Sequence, residues 1–286
     1  MDSHCNICGN NGAFIPRDND REGLICTNCS STSRLRAIVY LLGAHLGMND
    51  QPLAAWEKRK SVRILESSGR GPYPIMFKER FDYYNTEYNP NTDLINKPFT
   101  EYADFQHLAY QDETFDIVIA SDVFEHVRED EKGFREIYRV LKRGGIFILT
   151  VPYHHEWEQT LVRVKIEGDK EIHLLPPEYH GGGGQTLAYR TYGRDLLSRL
   201  RSFGYSVAYI DLEVPAFRIG RQPVFICSRS DFSDMTGFHT PANEVGAKWV
   251  KASPLFLFRI FVTLKYNAVS VKHFFSEIMR RLKDAF

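Results

Sequence analysis

The chain has 286 residues, with 36 Lys plus Arg set against 36 Asp plus Glu and 43% hydrophobic residues. That length holds one large domain with small additions, and the apolar and charged fractions are those of a soluble globular chain. Zero net charge disfavours a bulk electrostatic grip on nucleic acid, which needs clustered positive charge to displace counterions.

The N-terminus, Met1-Asp-Ser-His-Cys5, has no basic flank and no apolar stretch, so it does not read as a secretory signal, and cytoplasm is the expected compartment. Cys5-x-x-Cys8 and Cys26-x-x-Cys29, seventeen residues apart, have the spacing of a four-thiolate zinc site within residues 1–34. Four thiolates complete a tetrahedron, so such an ion is structural. Only Ile7, Phe14, Ile15, Leu24 and Ile25 are available as an apolar core there, so metal binding would supply most of the folding free energy. Ser30 to Arg36 opens a helix running to about Leu46, with Leu35, Ile38, Val39 and Leu42 on one face. Residues 35–60 read as a connecting helix and linker. Arg34 and Arg36 either coat its solvated face, the simpler reading, or reach toward an anionic substrate.

From residue 61 the pattern changes to short apolar runs and helices in alternation. Val62 to Leu65 ends in Glu66 and breaks into Ser67-Ser-Gly-Arg-Gly71, the strand, tight turn and helix start that place a nucleotide site at a strand's carboxyl end. Phe81 to Thr86 reads as a second strand ending at Glu87. Ile117 to Ser121 is a fully apolar run of buried-strand type. Asp130 to Lys142 spaces Phe134, Ile137, Tyr138 and Leu141 as one helical face, with Gly144 and Gly145 as its stop, and Ile146 to Val151 follows as a strand. Thr191 to Phe203 predicts a helix, and Tyr205–Leu212 with Pro223–Ser228 an antiparallel hairpin.

The run Asp116-Ile-Val-Ile-Ala-Ser-Asp-Val-Phe-Glu-His-Val127, followed by Glu136-Ile-Tyr-Arg-Val-Leu-Lys-Arg-Gly-Gly-Ile-Phe-Ile-Leu-Thr-Val-Pro152, resembles class I S-adenosylmethionine-dependent methyltransferases over roughly residues 61–228. The first turn departs from that family's interleaved glycines by having Ser68 in place of one. The resemblance implies an α/β, Rossmann-like seven-stranded sheet with helices on both faces, spanning residues 61–230, and S-adenosylmethionine as cofactor. Carried over by position, Glu66, Ser68, Gly69 and Gly71 would surround the methionine portion. Glu87 would hold the ribose hydroxyls. Asp104 would accept from the adenine amino group, with Phe105 against the ring or bonded to it through its backbone. Ser121 and Asp122 would line the methyl end. The Cys pairs with the Ser-x-Ser-Arg-x-Arg that follows them resemble a zinc ribbon placed ahead of such a core.

Methyl transfer from a sulfonium needs alignment more than acid or base help. The candidates for freeing the acceptor's lone pair are His126, after the fourth strand, and His154 and His155, after the fifth. Between Tyr153 and Tyr192 lies an insertion containing Gly181 to Gly184, either a lid or acceptor pocket or a surface connection, with Glu178, Tyr179 and His180 as its candidate substrate contacts. The tail, 231–286, carries eight Lys or Arg against three Asp or Glu from Asn243 onward and an apolar run too short to span a bilayer. It could pack on the core, form a homodimer contact or lie on the inner membrane face. The expected function is methyl transfer to an oxygen or nitrogen of a small-molecule or carbohydrate-like acceptor. The alternatives are an RNA or protein methyltransferase that captures its substrate with the zinc ribbon, and a non-catalytic methyltransferase-like binding protein.

Overall fold

The computed structural model describes residues 3–17, 22–49, 51–88, 100–180 and 186–230. Seven strands form its central sheet: β1 (Arg63–Ser67), β2 (Asp82–Glu87), β3 (Thr100–Tyr102), β4 (Phe115–Ser121), β5 (Leu141–Thr150), β6 (Ser206–Val214) and β7 (Ile219–Ser228). Their spatial order is β3-β2-β1-β4-β5-β7-β6. β1 to β5 run parallel, whereas β7 lies antiparallel between β5 and β6. The order reverses between β1 and β4, and in an open α/β sheet that reversal opens a crevice at the carboxyl ends of the strands.

The apolar runs divide by strict alternation. Ile64, Ile117, Ile119, Ile146 and Ile148 face one side, packed with α1 (Ser33–Leu46) and α2 (Tyr73–Arg80). Leu65, Val118, Ala120, Phe147 and Leu149 face the other, against α3 (Asp130–Val140) and α4 (Asp195–Ser202). The runs of β1, β4 and β5 are thus buried on both faces, which is why they read as continuous apolar sequence. α1 begins where Thr32 accepts from the Leu35 amide and ends on left-handed Gly47. It is an integral layer over the sheet, since Ala37 to Ala44 are all buried.

Three expected boundaries move. β1 runs to Ser67, so Glu66 belongs to the strand. α3 ends at Val140, and Gly144 and Gly145 lie inside β5 instead of stopping the helix. A Cβ at Gly145 would sit 2.8 Å from the Asp116 carbonyl, so this glycine lets β5 close on β4. The short edge strand β3 has no apolar run to announce it. The expectations for 231–286 and for the four glycines lie outside the described residues, among which no helix is long and apolar enough to cross a membrane.

The N-terminal hairpin, Phe14–Pro16 with Leu24–Cys26, is joined to the core. Cys5, Ile7 and Cys26 share the apolar cluster that contains α1 and one face of the sheet. The solvated-face reading of Arg36 is overturned, because its side chain is fully buried. The guanidinium donates to the carbonyls of Leu24 (2.8 Å), Phe217 (3.0 Å) and Arg218 (2.7 Å), and to that of Ser31. One side chain thus ties the hairpin and the start of α1 to the β6–β7 turn. Its removal would strand several buried acceptors, so Arg36→Ala is expected to lower the unfolding free energy by about 3 kcal/mol or more. Arg36→Lys should recover only part of this, lacking the planar fork. Denaturant unfolding checks it, and a loss under about 1 kcal/mol for the alanine variant would contradict the assignment.

Candidate functional site

The turn after β1 is stitched to the tip of β2. Ser68 adopts φ +55°, the left-handed region that a glycine would occupy at lower cost. Its hydroxyl donates to Glu87 Oε1 at 2.9 Å, and Arg70 Nη2 lies 3.3 Å from the other carboxylate oxygen. The Gly69 amide donates to Asn85 Oδ1 (2.8 Å), and Asn85 Nδ2 donates back to the Gly69 carbonyl (3.0 Å). A Cβ at Gly69 would collide with Tyr83 Oη, Asn85 Oδ1 and Glu66 Oε2, so only glycine fits there. Gly71, at φ +84°, completes the turn.

Glu66 takes a different place from the one expected. It is fully buried beneath this turn, and its two oxygens accept from Tyr73 Oη and Tyr83 Oη, each at 2.5 Å. Burial pushes its pKa up to about 7, against the downward pull of the two tyrosine hydroxyls. In this geometry it anchors the turn from below and does not line the open rim.

At the end of β4, Ser121 and Asp122 meet Arg34, the second residue of α1. Arg34 Nη1 lies 2.6 Å from Asp122 Oδ2 and 3.1 Å from Ser121 Oγ, while Nη2 pairs with Glu22. Thr150 Oγ1, at the tip of β5, donates to Asp122 Oδ1 at 3.0 Å. Arg34 is therefore also not a solvent-coating residue: the N-terminal module supplies a cation to the rim.

Asp104 caps its own loop, accepting from the Gln106 amide at 2.8 Å and from Gln106 Nε2. The Phe105 ring is only 3% exposed and packs edge-on to Phe124, so it belongs to the core and leaves the backbone for any ligand contact. The three candidate histidines separate. His126 Nδ1 is bonded to the Leu187 carbonyl at 2.8 Å, and its ring lies 4.6 Å from that of His180. His154 stacks on Trp157 and bonds Glu156 at 2.8 Å, while the largely exposed His155 lies 3.3 Å from the same carboxylate. These two form a surface turn. Glu178 pairs with Arg163 (2.5 Å), and Tyr179 is exposed.

Sequence reasoning missed Tyr73 and Tyr83 as the lid on Glu66, Asn85 as the stitch to the turn, and Arg190. Arg190 is buried and donates to the carbonyls of Phe124, Val127 and Arg128, locking the insertion onto the segment after β4. No spacing rule connects residues so far apart in the chain. Within the insertion, short strands pair antiparallel, 164–167 with 170–173 and 179–180 with 186–187.

In the N-terminal module all four cysteines are free thiols, with their sulfurs within 4.8 Å of one another. Cys5 Sγ to Cys29 Sγ is 3.7 Å and Cys8 Sγ to Cys26 Sγ is 3.8 Å. A tetrahedron with metal–sulfur bonds of about 2.3 Å has edges of about 3.8 Å. The residues present therefore fit one tetrahedral ion.

Residues 68–149 match the sequence model of a methyltransferase domain. The chain carries a methyltransferase domain. A 60-residue stretch is 38% identical to the sterol 24-C-methyltransferase of Schizosaccharomyces pombe, covering 21% of this chain and 16% of that enzyme's length. Among solved structures, the 1,6-didemethyltoxoflavin-N1-methyltransferase of Burkholderia thailandensis with bound 1,6-didemethyltoxoflavin and S-adenosylhomocysteine superposes with a TM-score of 0.40 at 17% identity. That match covers 70% of this chain and 79% of the other. An S-adenosylmethionine-dependent methyltransferase of Mesorhizobium loti gives 0.40 at 16% identity, covering 61% and 93%.

Glu66, beneath the first turn, links that turn to pH. Its folded pKa of about 7 lies above the ordinary 4.5, so the stability it contributes is present below about pH 4.5 and is lost as pH rises through about 7. Between about pH 5 and about pH 8 that loss amounts to about 2 to 3 kcal/mol. Glu66→Gln, which cannot ionise, should remove this component. Denaturant unfolding of both proteins at the two pH values checks it, and an equal pH difference in each would contradict the role given to Glu66.

Proposed function

We propose that the chain transfers a methyl group from S-adenosylmethionine to an oxygen or nitrogen of a small-molecule or carbohydrate-like acceptor. What carries this reading is the polar set at the carboxyl rim of β1, β2 and β4, which complements an amino acid joined to a nucleoside. Glu87, at the tip of β2, would accept from a ribose diol. The Ser68 to Gly71 turn offers backbone to the methionine portion. Arg34 would meet the methionine carboxylate, while Asp122 and Ser121 would face its ammonium group and the methyl end. Asp104, with the Phe105 backbone, would hold the adenine amine. When bound, the cofactor supplies an electrophilic methyl group on a positively charged sulfur. The chain's own residues supply alignment, the larger part of such a reaction. Acceptor activation belongs to the His126 side of the rim, where Leu187 fixes the ring and leaves the lone pair on Nε2. The surface pair His154 and His155 suits acceptor contact, as do Glu178 and Tyr179.

We infer further that Cys5, Cys8, Cys26 and Cys29 hold one structural zinc ion, which positions Arg34 and Arg36. Both arginines point inward, so they no longer supply the basic footprint on which substrate capture by the ribbon would rest. That favours the small acceptor over RNA.

Calorimetric titration with S-adenosylhomocysteine tests the reading. The full chain should bind it, and Arg34→Ala should weaken binding by about 10- to 100-fold, the worth of one charge-assisted contact. Absence of binding to the unmodified chain at millimolar ligand would defeat the enzyme reading and favour a non-catalytic binding protein.

A further inference from the structure

Directly after β4 the chain makes a single helical turn, Phe124–His126, and the hairpin strand Tyr179–His180 of the insertion folds back over it. This brings Glu125, His126 and His180 together from residues more than fifty positions apart. One ligand atom from each of the three lies within 4.8 Å of the others. The Glu125 side chain is 1% exposed, and its Oε1 lies 3.8 Å from His126 Nε2. The imidazole rings of His126 and His180 are 4.6 Å apart between centroids.

The surroundings are those of an oriented donor set. Since Nδ1 of His126 is bonded to the Leu187 carbonyl at 2.8 Å, the proton sits on Nδ1 and the Nε2 lone pair points toward Glu125. Glu178 Oε1 stands 3.7 Å from His180 Nε2, the place of an outer-sphere carboxylate that aligns a ligating imidazole. The turn's backbone is held on three sides: Tyr189 donates its amide to the Glu125 carbonyl at 2.8 Å, and Arg190 donates to the carbonyls of Phe124 and Val127. A divalent ion among these three groups would be bonded by the carboxylate and both imidazoles at once.

We propose that Glu125, His126 and His180 bind a divalent first-row transition-metal ion, with coordination positions left open toward the rim. Two imidazoles and one carboxylate select ions such as Zn²⁺, Co²⁺ or Mn²⁺ over Mg²⁺ or Ca²⁺, and three protein ligands are the number found where substrate completes the sphere. Resting on the function proposed above, the open position would take the acceptor's hydroxyl oxygen. Coordination there lets the hydroxyl lose its proton to water near neutral pH. The oxygen lone pair then forms the new bond to the methyl carbon while the carbon–sulfur bond breaks, its electron pair staying on sulfur.

Metal content separates this site from the cysteine site without any need for methyl transfer. The full chain is dialysed against Co²⁺ and then against metal-free buffer, with bound metal counted by mass spectrometry and the electronic spectrum recorded. Wild type should retain two equivalents, one showing the sulfur-to-cobalt charge-transfer band of the four thiolates and one without it. His180→Ala, at a half-buried position on a two-residue strand, and His126→Ala should each retain only the thiolate equivalent, with His180→Ala melting at the wild-type temperature. Saturation of wild type at one equivalent, or two equivalents retained by the variants, would overturn the proposal. Either result would leave the cofactor titration with S-adenosylhomocysteine, and so the methyltransferase reading, to stand or fall separately.

Discussion

A buried guanidinium decides where the N-terminal module sits. Arg36 enters the space between the cysteine hairpin, the start of α1 and the β6–β7 turn, and its planar donors are met by main-chain carbonyls from all three. Such a side chain is costly to bury unless every donor finds an acceptor, so the arrangement tolerates little variation. Once Arg36 is seated, the helix that carries it is fixed in rotation, and Arg34, two residues earlier, must project toward the ends of β4 and β5. The ion pair of Arg34 with Asp122 follows from that constraint. A module with almost no apolar core of its own becomes part of the site's wall.

The middle of the central sheet was readable because β4 and β5 are buried on both faces and carry unbroken apolar runs, Ile117 to Ala120 and Ile146 to Leu149. The cysteine spacing was equally plain. The partners of single polar groups were not. A carboxylate closing a strand, such as Glu66, reads as a ligand contact, and nothing local reveals that Tyr73 from α2 and Tyr83 from β2 converge on it. Arg34 and Arg36 sit at spacings compatible with a solvated helix face, and only the packing of α1 onto the sheet shows that both turn inward. β3 was missed because two of its three residues are exposed, which leaves no periodic signal. Gly144 and Gly145 carry the usual signature of a helix stop, yet the close approach of β5 to the Asp116 carbonyl is what requires the second of them.

The rim divides chemically into two halves. On the β1–β2 side, Ser68, Gly69, Asn85 and Glu87 are bonded to one another and form a rigid seat that needs little reorganisation when a ligand arrives. On the β4–β5 side, the insertion contributes its own side chains, and Arg190 fastens it to the backbone beside His126. In the function proposed above, specificity for an acceptor would reside in this second half, where chain segments distant in sequence meet and the parallel sheet provides only the platform.

In the proposed function, one ligand touches the β1 turn, the tip of β2, the end of β4 and the first turn of α1 together. Amide hydrogen exchange of the full chain, with and without S-adenosylhomocysteine, tests it most directly. Exchange should slow on binding at residues 67–72, 86–88 and 121–123, and also at 33–36 in the N-terminal module. Protection confined to the sheet, with 33–36 unchanged, or protection away from these strand ends altogether, would contradict it.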